Sequence, residues 1–193
     1  MKKAILLCVL TVISANMVFA QNFKHGYRGY ADIGYTIGVG DYEFGRTEIS
    51  TTHGYQVCPY FFVGGGVGFH FMEKYQTKGM GEFALDKRDA KFDIPVFLNL
   101  RGMLTKHKFG PFIDAKVGYF LTNGDGLYSN ISLGVRMRTI GKQAVNLSVG
   151  YTFEQLKYET FGRFTHPGYD MDYTRNSRML DSEGVSIKVG YEF

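Results

Sequence analysis

Eight stretches in which apolar side chains alternate with polar ones or glycine predict an all-β fold, an eight-stranded antiparallel up-and-down barrel that crosses a membrane. Two further observations support this. No Asp, Glu, Lys or Arg falls on the apolar face of any stretch, and short connections alternate in phase with generally longer ones. A basic side chain facing lipid costs roughly 2–4 kcal/mol at the bilayer midplane, so a lipid-facing surface requires that absence. The phased connections fit a barrel with short periplasmic turns and longer extracellular loops.

The chain opens on a basic Met1-Lys2-Lys3, an apolar run over 4–15 that is too short to span a bilayer, and a small-x-small site at Val18-Phe19-Ala20. We expect residues 1–20 to be cleaved as a signal peptide, with 21–193 forming one barrel domain. Losing Lys2 and Lys3 leaves 20 basic residues against 18 acidic ones, a charge of +2 with no polyanion-binding signature and no expected nucleic-acid partner. Cys58 is then the one remaining cysteine; an intrachain disulfide is excluded, and a tight turn there suits a bystander thiol.

The apolar face of strand one (27–39) carries Tyr27, Ile33, Tyr35 and Ile37, and that of strand two (47–57) carries Ile49, His53, Tyr55 and Val57. Strand three (61–71) sets Phe61, Val63, Val67, Phe69 and Phe71 against a glycine-rich face. Strand four (93–104) carries Val96, Leu98 and Leu100; strand five (109–121) Ile113, Val117 and Tyr119; strand six (127–138) Ile131, Leu133 and Val135. Strand seven (145–154) carries Leu147, Val149 and Tyr151, and strand eight (185–193) Val185, Ile187, Val189, Tyr191 and Phe193. Residues 72–91 and 157–184 are read as the two long loops, which either offer a protein or glycan contact or simply extend the sheet above the membrane. His53 is the uneasy member of the apolar face and belongs near an interface. Pro95 lacks an N–H that a closed sheet needs, so a bulge or a position above the lipid is expected there.

The opposite face has its own chemistry. Arg28, Arg101, Lys116, Arg136, Arg138 and Lys188 share it with Asp32, Glu48, Asp93, Asp114, Glu154 and Glu192, six of each sign. Buried charges need partners, so an ion-pair network is expected to plug a lumen that eight strands leave just wide enough for side chains. Inward glycines are expected to make room for the long arginines.

Thr52-His53-Gly54-Tyr55-Gln56, Phe62-Val63-Gly64-Gly65-Gly66-Val67-Gly68, Ile94-Pro95-Val96-Phe97-Leu98-Asn99-Leu100-Arg101 and the closing Tyr191-Glu192-Phe193 resemble small outer-membrane barrels of the OmpA/OmpX-like "porin family", Bacteroidota type. The resemblance implies a Gram-negative outer-membrane location, contact with outer-membrane lipid and lipopolysaccharide, and no catalytic residue or cofactor. It also implies that Val189, Tyr191 and Phe193 act as the signal read by the barrel-assembly machinery. The peptidoglycan-binding domain of longer relatives is not expected.

Three readings of function follow. The first is a non-enzymatic barrel with a structural, adhesive or surface-binding role toward an unidentified extracellular ligand or protein. Its contacts would come from Arg163, His166, Tyr169, Tyr173 and Arg175. The second is a narrow channel for small solutes. The third is a surface hydrolase using His166 with Asp170 or Asp172 in the last loop. Thr51 and His53 share the apolar face, but no acid joins them there. The glycines at 64–68 lack the helix that a phosphate cradle needs, and the five histidines show no metal-ligand spacing. A soluble lipocalin-like barrel, apolar inside, is the rival fold, since parity alone does not say which face is enclosed.

Overall fold

The computed structural model describes residues 26–40, 44–76, 85–105, 107, 109–123, 125–139, 143–164 and 172–193, with backbone only at 76, 85–87, 160–164 and 172–176. Residues 1–25, and with them the expected signal peptide, lie outside this set. The strands are β1 Gly26–Val39, β2 Arg46–Cys58, β3 Phe61–Met72, β4 Tyr75–Gln76, β5 Leu85–Arg88, β6 Lys91–Asp93, β7 Pro95–Met103, β8 Phe109–Phe120, β9 Leu127–Arg138, β10 Ala144–Phe164 and β11 Asp172–Glu192.

Eight walls form the ring: β1, β2, β3, β6 continued by β7, β8, β9, β10 and β11. Each is antiparallel to the next, and β11 pairs with both β10 and β1. The sheet therefore closes and leaves no open edge in the ring. Followed from Gly29 through its successive partners His53, Gly65, Leu98, Val117, Ser129, Phe153 and Glu183, the path re-enters β1 at Val39, ten residues on. Eight strands with that stagger tilt about 40° and have a backbone radius of about 8 Å, an interior that side chains fill.

Burial decides which face is inside. Leu98 is 70% exposed and Leu133 63%, while Arg46, Glu154 and Glu192 are completely buried. This is the reverse of a soluble protein, where charged groups are almost never fully buried unless paired. The apolar-inside rival is excluded.

The apolar band has two aromatic borders. Near the turns lie exposed Tyr27, Tyr55, Phe61, Phe109, Tyr191 and Phe193; near the loops lie Tyr35, Phe69, Phe71, Phe92, Tyr119 and Tyr151. Ile, Leu and Val occupy the space between. Tyr35 donates to Glu73 at 3.0 Å, and Tyr151 donates to Glu183, so these phenols mark where the polar boundary begins. The eight residue steps from Tyr27 to Tyr35 on a tilted strand rise about 20 Å along the barrel axis, close to the apolar height of an outer-membrane barrel.

The inward glycines mostly serve phenylalanine rings rather than arginines. A Cβ on Gly54 or Gly64 would lie 2.7 or 2.6 Å from the ring of Phe62, one on Gly66 2.6 Å from Phe97, and one on Gly134 2.4 Å from Phe112. A flat ring covers the strand beside it only where no side chain stands. Gly34 lies beside Lys188 rather than an arginine, and a Cβ on Gly184, which the sequence reading left in a loop, would lie 3.2 Å from Arg46 Nη2.

Several boundaries differ from the sequence reading. Cys58 is not in the turn: it closes β2, buried on the same inward parity as Gln56, at a register shift between the two. Pro95 forms no bulge, since Val67 pairs with Val96 and His70 with Asp93 in one register. The ladder merely lapses at Ile94, whose N–H donates to Thr122 Oγ1 at 2.9 Å. The larger correction concerns the two long loops. β10 and β11 stay paired from Ala144–Glu192 to Phe164–Asp172, whereas β9 leaves β10 at Glu154 and β1 leaves β11 at Glu183. The hairpin thus rises beyond the ring, and β5 joins it at Glu159, Thr160 and Phe161 with β4 outside β5. Above the apolar band no lipid face imposes alternation, so strand there has the composition of a loop.

Candidate functional site

The lumen is filled in levels. At the turn end, Glu192 accepts from Arg136 Nε at 2.6 Å and Nη2 at 2.8 Å, and also from Arg28. One level up, Asp114 accepts from Arg101 Nε at 2.6 Å and from Asn99 at 2.9 Å. The Arg101 guanidinium lies 4.0 Å from the Tyr30 ring centroid and 4.7 Å from that of Phe112, so its faces are covered as well as its edge. Lys116 donates to Asp32 at 2.8 Å, and Asn130 bridges Thr152 and Ser186 at 2.7 and 3.0 Å.

Nearer the loops, Glu48 takes Lys188 at 2.7 Å and a hydrogen bond from Thr36, while Arg46 lies 3.2 Å from Glu154. His70 Nδ1 is 3.2 Å from Glu154 Oε1, and its ring packs edge-on to Phe120 and Tyr128. Above this level a small apolar cluster of Phe44, Met72, Phe97, Phe120, Tyr128, Leu156 and Tyr158 closes the lumen.

Arg88 pins that closure. Its guanidinium meets Asp125 at 3.0 and 2.8 Å, Asp93 at 2.6 Å and the Lys157 carbonyl at 2.8 Å. Burial disfavours its charge, but the hydrogen bond and charge of Asp125 outweigh that and hold Arg88 above its ordinary value. Burial also pushes the neighbouring Tyr158 phenol up.

Of the lumen residues read from sequence, Asp32, Glu48, Asp93, Arg101, Asp114, Lys116, Arg136, Glu154, Lys188 and Glu192 are buried, and Arg28 and Arg138 are half-buried. Each except Arg138 has an opposite charge within 4 Å. Sequence reasoning missed Arg46, His70, Arg88 and Asp125 as partners. Arg46 continues the inward parity of Glu48 and Ser50 by one step, and His70 shares the inward face of β3. Nothing periodic points to Arg88 or Asp125, which meet only through the fold.

Val189, Tyr191 and Phe193 face outward, and Phe193 exchanges two backbone hydrogen bonds of 2.9 Å with Gly29. Arg163, Tyr173 and Arg175 occupy hairpin strand positions, with Arg163 opposite Tyr173, and their side chains are not described. His166, Tyr169 and Asp170 lie outside the described residues; Asp172 is backbone in β11.

Two clusters bear on chemistry. Glu48, His70 and Glu154 each offer a ligand atom within 4.8 Å of the others. Arg46 and Lys188 already neutralise the two carboxylates, so a divalent cation would have to displace both. On the outer face, His53 Nε2 lies 2.9 Å from Thr51 Oγ1, Nδ1 is bonded to the Tyr27 hydroxyl, and the ring sits edge-on to Phe193. Both ring nitrogens are thereby satisfied at the turn-end border, which accounts for a histidine on the apolar face.

No family model matches the chain, and no curated protein does. Solved structures with a similar course include a de novo designed transmembrane β-barrel at 14% identity (TM-score 0.43; 86% of this chain, 94% of that one). Another is the outer membrane protein W of E. coli, at 14% identity (TM-score 0.40; 90% and 100%). A third is the outer membrane enzyme PagL, at 12% identity (TM-score 0.37; 83% and 97%).

Proposed function

We propose that the protein is a non-conducting, non-enzymatic barrel of the Gram-negative outer membrane whose role, structural, adhesive or surface-binding, is exercised by the hairpin of β10 and β11 above the lipid. The observation that carries this reading is the filled lumen, with paired charges from Glu192 to Arg88 and an apolar cap. A pore needs a continuous aqueous path, and paired buried charges oppose one. The hairpin extends ten residues beyond the ring, about 30 Å along the strand. It exposes Lys157, Arg178 and Asp181, charges of both signs suited to a protein, a glycan or lipopolysaccharide.

Refolded protein inserted in a planar bilayer should give no sustained current, and incubation with lipid and peptide substrates should give no turnover. A steady single-channel current whose ion selectivity changes in Arg136→Ala supports the channel reading instead. Activity abolished by His166→Ala supports the hydrolase.

A further inference from the structure

The turn end of the lumen has an excess of positive charge that the ion-pair network leaves uncompensated. Arg28, Arg136 and Arg138 line one cavity of about 180 Å³ together with Gln56, Pro59, Met103 and Thr105. Glu192 is the one acidic side chain at this level among the described residues, and it is already shared by Arg28 and Arg136. Arg138 pairs with no acid among the described residues, and its Nε is buried without a partner. The turn sequences cannot supply one: residues 59–60, 104–108 and 139–143 contain no Asp or Glu, nor does any residue before Asp32.

Two more of the lining residues carry an orphaned atom. Gln56 is only 2% exposed; its amide nitrogen is used on the Cys58 carbonyl at 2.7 Å, and its Oε1 has no partner. Thr105 Oγ1 is likewise buried and unpartnered. Buried polar atoms without partners occur elsewhere in this lumen too, as at Asn146; here three residues that each carry one, the unpaired Arg138 among them, line a single cavity, which suits a polar guest. Thr105 supplies a rotatable O–H donor, and the guanidiniums supply planar forks that fit two oxygens of one anion. The cavity is smaller than a drug-sized ligand site, yet holds an oxyanion with attendant water.

We propose that this vestibule is a binding site for a small oxyanion, phosphate or carboxylate, held by Arg138 with Arg28, Arg136 and Thr105. The site opens at the turn end, opposite the hairpin, so it is independent of the surface role proposed above. Side-chain exposure of 18% at Arg28 gives it a way in.

The test is a titration of refolded, ¹⁵N-arginine-labelled protein in micelles with inorganic phosphate, acetate and chloride at matched ionic strength, following the arginine Nε–H resonances. Saturable shifts with phosphate or acetate, absent with chloride, are expected in the millimolar range, and whichever of the two saturates identifies the anion. Arg138→Gln should weaken that binding about tenfold, the loss of one charged hydrogen bond, while Arg138→Lys retains part of it. The heat-dependent gel shift of both variants reports that the barrel is intact. Equal shifts with chloride, no saturation with either oxyanion, or unchanged binding in a folded Arg138→Gln protein overturns the proposal.

Discussion

The ring and the hairpin are one sheet governed by two different solvents. Inside the band bordered by Tyr27 and Tyr35, every strand has an apolar face for lipid and a charged or aromatic face for the lumen, and pairing is enforced from both sides. Above Glu154 and Glu183 the same two strands continue with no lipid on their outer face, Leu156 and Tyr158 tucked into the cap, and one short neighbour, β5. The comparison teaches that strand is specified twice in the ring, by lipid and by lumen, and in the hairpin by backbone pairing together with the short apolar cap that buries Leu156 and Tyr158. Substitutions in the ring should therefore be costly, and most of those in the hairpin should not.

The largest effect is expected at Glu192, whose carboxylate serves two arginines. Glu192→Ala leaves both guanidiniums unpaired and should cost about 3–5 kcal/mol in urea unfolding from lipid micelles. A loss under about 1 kcal/mol would mean that the lumen is wet and the pairs idle. Next comes the lipid face: Leu133→Arg should cost about 2–4 kcal/mol, while Ser177→Arg on the exposed hairpin should stay within about 0.5 kcal/mol. Equal costs at the two positions would abolish the distinction between the regions.

Arg88 joins the regions, so Arg88→Leu should loosen one and spare the other. Hydrogen exchange in the upper part of β10, from Gln155 to Glu159, is expected to accelerate while β1 and β2 remain protected. Uniform acceleration of both would make the cap part of the ring's own stability. The smallest effect concerns closure: a Cβ at Gly29 would lie 2.3 Å from the Phe193 ring. That ring can turn aside into lipid, so Gly29→Val should cost about 1 kcal/mol and be visible as a modest drop in the unfolding midpoint.

The ring was legible in the sequence because period-two alternation holds wherever one face meets lipid. Tyr27 to Val39 and Val185 to Phe193 could be read without ambiguity. The hairpin above was not, since Lys157, Ser177 and Arg178 face water and the buried parity of Leu156 and Tyr158 lasts for too few residues to mark a strand. The site was half legible for a related reason. Parity identifies which side chains enter the lumen, including Arg101 and Asp114, but not which of them meet. Arg88 and Asp125 come from segments with no period at all, and only three-dimensional closure brings them within 2.8 Å of each other.

The absence of tryptophan makes the central claim directly measurable. Two single-tryptophan variants, Leu133→Trp on the exposed face and Phe62→Trp in the lumen, are refolded into bilayers whose acyl chains carry bromine. Strong quenching of the first with little quenching of the second is the predicted result. Quenching of Phe62→Trp with Leu133→Trp left bright would place the charged face against lipid and contradict the account.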